Sequence, residues 1–297
     1  MKSLYWFLIA CVCVCVWGCT DPIIPQNEQD LVVEGWIEAG DHPIVMVTTS
    51  VQVSQKYQDW SVLEENMVRW AKVTVSDGEN SVVLTGKYNK DYFPPYIYTT
   101  AKMEGEVGKT YTLTVQYKGK TATATTTIPE KVDLEYVKVV SSSAEDSEYN
   151  IIAGLKDDPA TKDYYRFFTK NTKLDSTYIP SFMGLINDDV LAEGINDVSV
   201  YSGFVLNFGS EQRSPVSFQE DDVVSIRFAT MDEETYNYWE DYDDISSLSN
   251  NPFFPVNKKI RSNVSSGMGY WAGYGSSYYM VSIADSLALG RVWPAKD

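Results

Sequence analysis

The sequence predicts a mainly β protein: an N-terminal antiparallel β-sandwich of Ig-like or transthyretin-like kind, followed by a larger β-rich domain carrying one amphipathic helix. Three observations predict it. From Leu31 onward apolar and polar residues alternate, as in LVVEGWI and KVTV, and this period of two gives each strand one apolar face. Turn residues punctuate the pattern at short intervals, with Asp77-Gly78 and Lys118-Gly119-Lys120 the clearest. One later stretch, beginning at Thr230, changes to helical spacing.

The first segment sets location. Lys2 precedes an apolar run over residues 4–17, and Gly18 is a small residue immediately before Cys19. This is the pattern of a lipoprotein signal peptide over residues 1–18, with Cys19 as the lipidated first residue of the mature protein. The run falls short of the roughly 20 apolar residues that a spanning helix needs, so the expectation is a lipid-anchored chain. The four cysteines are Cys11, Cys13, Cys15 and Cys19, so cleavage leaves one, and acylation consumes it. Stability then has to come from an apolar core rather than from cross-links. Residues 19–30, with Pro22 and Pro25 among polar neighbours, read as a tether.

The sandwich is placed over residues 31–128. Strands are expected at 31–37, 44–53, 71–78, 81–86 and 96–100, and a hairpin at 110–127, where Tyr111, Leu113, Val115 and Tyr117 alternate with threonine and glutamine. Pro129 and the charged residues after it mark the boundary. The second domain, 129–297, opens with strands at 134–140, 149–155, 164–169, 198–208 and 223–230. A capping box at 230–233, with Asp232, Glu233 and Glu234 favouring a helix N-terminus, starts a helix over 231–248 that Asn250-Asn251-Pro252 stops. Residues 263–277 alternate glycine with aromatics in a way no helix tolerates, and a last strand is expected at 278–283.

Charge and residue types exclude several chemistries. The net charge is −17, and loss of Lys2 with the signal peptide makes it −18. Such a surface repels nucleic acid; it reads as a solvated exterior, with a cationic ligand as the alternative. The single histidine, His42, lies in a Gly-Asp-His-Pro turn, so a histidine-based hydrolase is not supported. One histidine and no free cysteine make no zinc set, and no glycine-rich phosphate cradle opens a helix, so no cofactor is expected.

Paired carboxylates occur at Asp157-Asp158, Asp188-Asp189, Asp221-Asp222 and Asp243-Asp244. A glycosidase-like hydrolase needs two acids about 5 to 9.5 Å apart, and adjacent acids on a strand point to opposite faces. These pairs read as loop or capping residues, and the Asp241–Asp244 run lacks the spacing of a calcium loop.

Aromatic content is the remaining signal, with 21 tyrosines and eight tryptophans. Two clusters stand out: YNKDYFPPYIY at 88–98, with Tyr92, Phe93 and Tyr96, and YWAGYGSSYY at 270–279, with Tyr270, Trp271 and Tyr274. Both are candidate contact surfaces for a peptide or glycan, because such rings combine an apolar face with a polar tip. The second fits a glycine-dependent structural need equally well.

Three features in this order carry a family resemblance: LVVEGWI after a lipoprotein-type cysteine, the KTYTLTVQYKGKTATATTTIP hairpin, and the late NPF…SNVSSGMGYWAGYGSS segment. Together with DDPATKDYYRFF and DEETYNYW, the chain resembles the domain-of-unknown-function 4249 family of exported lipoproteins from Bacteroidetes-type bacteria. The resemblance implies no enzymatic activity. It implies a lipid-anchored outer-membrane protein, an accessory in nutrient uptake beside a TonB-dependent transporter and a SusD-like lipoprotein; the expected orientation is toward the cell exterior, with periplasmic facing the alternative, because only Asp21 follows Cys19 where surface-displayed members carry an acidic cluster. A carboxylate-dependent surface hydrolase and a purely structural envelope lipoprotein are the alternatives. Asp175-Ser176-Thr177 and Asp285-Ser286-Leu287 resemble the short motif on which such bacteria O-glycosylate exported proteins, which makes Ser176 and Ser286 candidate acceptors.

Overall fold

The computed structural model describes residues 30–50, 64–142, 148–203, 217–248, 259–289 and 293–294. Cys19, the leader and residues 19–29 of the tether lie outside the described residues. The strands of the first part are β1 (Leu31–Glu38), β2 (Ile44–Thr49), β3 (Lys72–Ser76), β4 (Ser81–Val83), β5 (Thr85–Tyr88), β6 (Tyr96–Thr99), β7 (Thr110–Tyr117) and β8 (Lys120–Thr127). The second part contributes β9 (Tyr136–Ser141), β10 (Glu148–Lys156), β11 (Tyr164–Asn171), β12 (Ile179–Asn187), β13 (Ile195–Val200), β14 (Phe218–Gln219), β15 (Val223–Met231), β16 (Met268–Ser282) and β17 (Trp293–Pro294). Two helices are described, α1 (Glu233–Leu248) and α2 (Ile283–Leu289).

The fold is mainly β, as expected. One eight-stranded sheet, ordered β12-β11-β15-β16-β1-β2-β6-β5, runs through the molecule. Strands from before and after residue 128 share it, because β16 pairs in parallel with β1, Gly35 opposite Trp271. Two smaller sheets, β4-β3-β7-β8 and β13-β10-β9-β17, pack on its inner face. The first core joins Val33, Ile37 and Trp271 to Val73, Leu113 and Val115; the second joins Phe167, Phe228 and Val281 to Val137, Ile151 and Leu155. Trp271 and Val281 are ten residues apart on one strand and so share a face, which places both cores on the same side of the large sheet. α1 covers part of the opposite, outer face.

The hairpin at 110–127 forms as read, with Tyr111, Leu113 and Val115 buried and Thr110 paired with Thr127. Lys118 and Gly119 both take positive φ in its turn. Elsewhere the structure departs from the sequence expectation. The strand expected at 278–283 begins ten residues earlier, so the glycine–aromatic run is itself strand β16. Its glycines admit neighbouring backbone: a Cβ at Gly273 would stand 2.8 Å from the Thr127 carbonyl oxygen, and one at Gly269 (φ 107°) would overlap that of Val33. Strand β12 and helix α2 were not anticipated, so the expected single helix becomes two. Residues 51–53 and 204–208, expected as strand ends, lie outside the described residues.

α1 starts two residues later than the capping box at 230–233 implies. Thr230 is buried in β15, and the cap is Asp232, whose Oδ1 accepts from the Thr235 backbone N–H at 2.8 Å. Its other oxygen accepts from Thr126 Oγ at 2.8 Å, which ties the helix start to β8. On the far side Arg261 binds Asp241 through Nε at 2.8 Å and Glu240 at 2.6 Å, stapling the returning chain to the helix.

Candidate binding surface

The outer face is built by alternation on four strands. β1 presents Glu34, Trp36 and Glu38; β16 presents Tyr270, Ala272, Tyr274 and Tyr278; β15 presents Arg227, Ala229 and Met231; β11 presents Tyr164, Arg166 and Phe168. α1 lays Tyr238, Trp239 and Tyr242 over them. The result is an aromatic layer with charges inside it, unlike the inner cores, whose buried side chains are hydrophobic and carry no charge.

Two arginines are buried in that layer. Arg166 makes a two-pronged pair with Asp243, at 3.0 and 2.8 Å, and its guanidinium carbon lies 4.3 Å from the Trp239 ring centroid. Arg227 pairs with Glu38 at 2.9 Å and lies 4.2 Å from the Phe168 ring and 4.8 Å from Tyr274. Rings and guanidinium groups therefore alternate from Trp239 through Arg166, Phe168 and Arg227 to Tyr274. A desolvated contact of this kind contributes about 2 kcal/mol. Burial opposes the charge on Arg227, but the Glu38 carboxylate and nearby tyrosines outweigh it and hold the pKa above its ordinary value. The Nε atoms of both arginines are buried without a hydrogen-bond partner among the described residues.

The tyrosines carry the hydrogen bonds that lock this layer. Trp239 Nε1 donates to Tyr274 Oη at 2.9 Å, Tyr270 Oη donates to Glu34 at 3.1 Å, and Tyr278 Oη donates to Glu38. Burial raises the pKa of Tyr270, Tyr274 and Tyr278, so all three hydroxyls remain neutral through the physiological range.

Beyond α1 the outer face is open. Tyr92, on the β5–β6 connection, lies 6.1 Å ring to ring from Trp36, and Phe93 beside it is 48% exposed. Tyr178, at the start of β12, lies 5.9 Å from Tyr278, which is 53% exposed. The two loops meet where Ser176 Oγ approaches the Asp91 carbonyl oxygen at 3.5 Å. Two ring pairs, Trp36–Tyr92 and Tyr178–Tyr278, thus stand near the Glu38–Arg227 pair, with the exposed Phe93 next to Tyr92 in sequence; together these residues form an aromatic platform.

The two sequence-derived clusters are each divided by strand alternation. Tyr92 and Phe93 belong to the platform, whereas Tyr96 packs toward the first inner core and donates to the Arg69 carbonyl at 3.1 Å. The expectation that Tyr270, Trp271 and Tyr274 form an exposed contact surface is corrected, since they are 3%, 0% and 1% exposed. Tyr270 and Tyr274 lie beneath α1, and Trp271 points the other way, donating to the Tyr111 carbonyl at 3.0 Å. Ser286 is corrected as well: it is buried in α2 with its hydroxyl on the Ser282 carbonyl at 2.7 Å, so no glycan fits there in the folded chain. Ser176 is exposed.

Sequence reasoning missed Trp36, Tyr178 and both arginines, and it held Tyr278 only as part of the 270–279 run, not as a named candidate. Glu34, Trp36 and Glu38 fall on the wet-looking face of an alternating strand; only the helix and loops that return from far along the chain make that face dry.

The adjacent acid pairs are occupied locally. Asp157 accepts from Tyr165 Oη at 2.6 Å and Asp158 from the Ala160 N–H at 3.0 Å, while Lys162 binds both Asp188 and Asp189. Asp221 binds Lys173 at 2.7 Å, Asp222 accepts from the Gln219 N–H at 2.9 Å, and Asp243 holds Arg166. Among the described residues no three His, Cys, Asp or Glu side chains gather as metal ligands, and no helix is long and apolar enough to cross a membrane.

The profile of the domain-of-unknown-function family DUF4249 matches residues 20–279. The chain belongs to this family. DUF4249 membership covers every described strand up to most of β16, so the eight-stranded sheet, α1 and the aromatic layer all lie within the matched region. The sequence matches none of the curated proteins with which it was compared.

Proposed function

We propose that this DUF4249 protein is a lipid-anchored outer-membrane binding module, non-catalytic, that faces the cell exterior and works beside a TonB-dependent transporter and a SusD-like lipoprotein in nutrient uptake. The observation that carries the reading is the open platform of Trp36, Tyr92, Phe93, Tyr178 and Tyr278, a ring-rich surface left uncovered by α1. Rigid rings that are already in place contribute contact area with little ordering cost, which suits a surface that meets a partner or a passing peptide or glycan. The local pairing of the adjacent acids supports a binding role over a hydrolytic one. A tether at Cys19 would hold the platform close to its partner at an effective concentration of about a millimolar.

The test is co-purification. The tagged native protein is extracted from outer membranes in mild detergent, beside a Cys19→Ser variant. A transporter recovered in near-equal amount with the native form, and lost with the variant, is the expected result. Recovery of the protein without a partner contradicts the accessory role.

A further inference from the structure

The outer face carries three carboxylates set among rings, and two of them are neutralised from within. Asp243 is matched by Arg166 over Trp239, and Glu38 by Arg227 over Phe168 and Tyr274. The third, Glu34, repeats the pattern without the cation. It lies directly across from Tyr270, which donates to its Oε1 at 3.1 Å. The Tyr270 ring is 4.4 Å from that of Tyr238, and Tyr238 lies nearly parallel to Tyr242 at 6.4 Å. Glu34, Tyr238 and Tyr242 are each partly rather than fully buried. No lysine, arginine or histidine pairs with Glu34 among the described residues, and burial raises its pKa.

We propose that Glu34, walled by Tyr238, Tyr242 and Tyr270, is a receptor for the primary ammonium group of a ligand, such as the lysine side chain of a basic peptide. The cation would occupy the place that arginines fill at the two sibling carboxylates, combining ring-face attraction with a charge-assisted hydrogen bond. Tyr270 engages Oε1 from one side, so Oε2 is the open acceptor, and a compact ammonium needs only that one oxygen where a guanidinium prefers to grip two. An isolated, partly buried carboxylate opposes folding at neutral pH, and a bound cation would offset that penalty. The site is separate from the open platform and stands or falls independently of the transporter reading.

The test is a titration of the detergent-solubilised full-length protein at pH 7 with Nα-acetyl-lysine amide, read by tyrosine and tryptophan fluorescence. Nα-acetyl-norleucine amide and Nα-acetyl-arginine amide serve as neutral and guanidinium controls. Saturable binding of the lysine probe is expected, with the arginine probe weaker and no saturation by norleucine. Glu34→Gln keeps the acceptor for Tyr270 and should weaken lysine binding about tenfold or more. Absence of saturable binding, unchanged affinity in Glu34→Gln, or equal binding of the arginine or norleucine probe would overturn the proposal.

Discussion

The two faces of strand β16 hold the molecule together by different means. Its inner face places Trp271 and Val281 in uncharged hydrophobic cores and Gly273 against the backbone of β8, so contact there is apolar and close-packed. Its outer face places Tyr270, Tyr274 and Tyr278 among arginines and carboxylates, where each buried charge needs a partner. The inner face gains from every area it buries. The outer face roughly balances desolvation against pairing, so its ion pairs add little net stability and much definition of geometry. Charges retained at such a cost, next to an open aromatic platform, are what a binding surface requires, whereas the inner core needs only volume and fit.

The sharpest way to break this contrast is through Trp271. Trp271→Ala should destabilise the protein by about 4 kcal/mol in denaturant titrations, the size expected for truncating a fully buried ring. A loss below about 1 kcal/mol would show that the inner face is not the main source of stability.

Next in size is the outer ion pair. Glu38→Ala leaves Arg227 buried without its carboxylate and should cost about 3 kcal/mol, whereas Glu38→Leu combined with Arg227→Met should recover most of that loss. If the double replacement were as damaging as the single one, the pair itself would be a net stabiliser and the contrast between faces would weaken.

A smaller effect is expected at the helix start. Asp232→Ala removes the cap on Thr235 and the tie to Thr126, at about 1 kcal/mol. Circular dichroism of α1 alongside denaturation would separate loss of helix from loss of docking.

The smallest effect is a slope. The Glu34 pKa is raised in the folded state by burial, so the folded chain binds more protons than the unfolded one just above the ordinary carboxylate pKa of 4.5. Stability should therefore fall as pH rises from that value through the raised one, and Glu34→Gln should remove this part of the fall. A variant with an unchanged stability–pH profile would place no ionising cost at Glu34.

How much of this was legible depends on where the information lies. The hairpin of β7 and β8 was readable because its alternation, turn and partner are contiguous. β16 was not, because glycines at 269, 273 and 275 look like strand breakers until the backbone they admit is known. The parallel pairing of Glu34 with Tyr270 joins positions over 230 residues apart, and nothing local announces it. The platform was half visible: Tyr92 and Phe93 stood out as aromatics beside prolines, while Tyr178 and Tyr278 become neighbours only through sheet order. The arginines carried no signal, since Arg166 and Arg227 sit singly in strands whose alternation does not distinguish a dry outer face from a wet one.

If the protein acts as proposed, the aromatic platform is the surface that holds its partner. This is tested most directly by repeating the co-purification from outer membranes with Phe93→Ala combined with Tyr278→Ala, against Trp70→Ala, which removes an 88% exposed ring away from the platform. Phe93→Ala and Trp70→Ala should melt within a few degrees of the native protein because both rings are exposed, and the variant carrying Tyr278→Ala, which loses the bond to Glu38, is compared at equal folded fraction. The account predicts that the platform variant loses its partner while the Trp70 variant retains it; retention of the partner by the platform variant would contradict it.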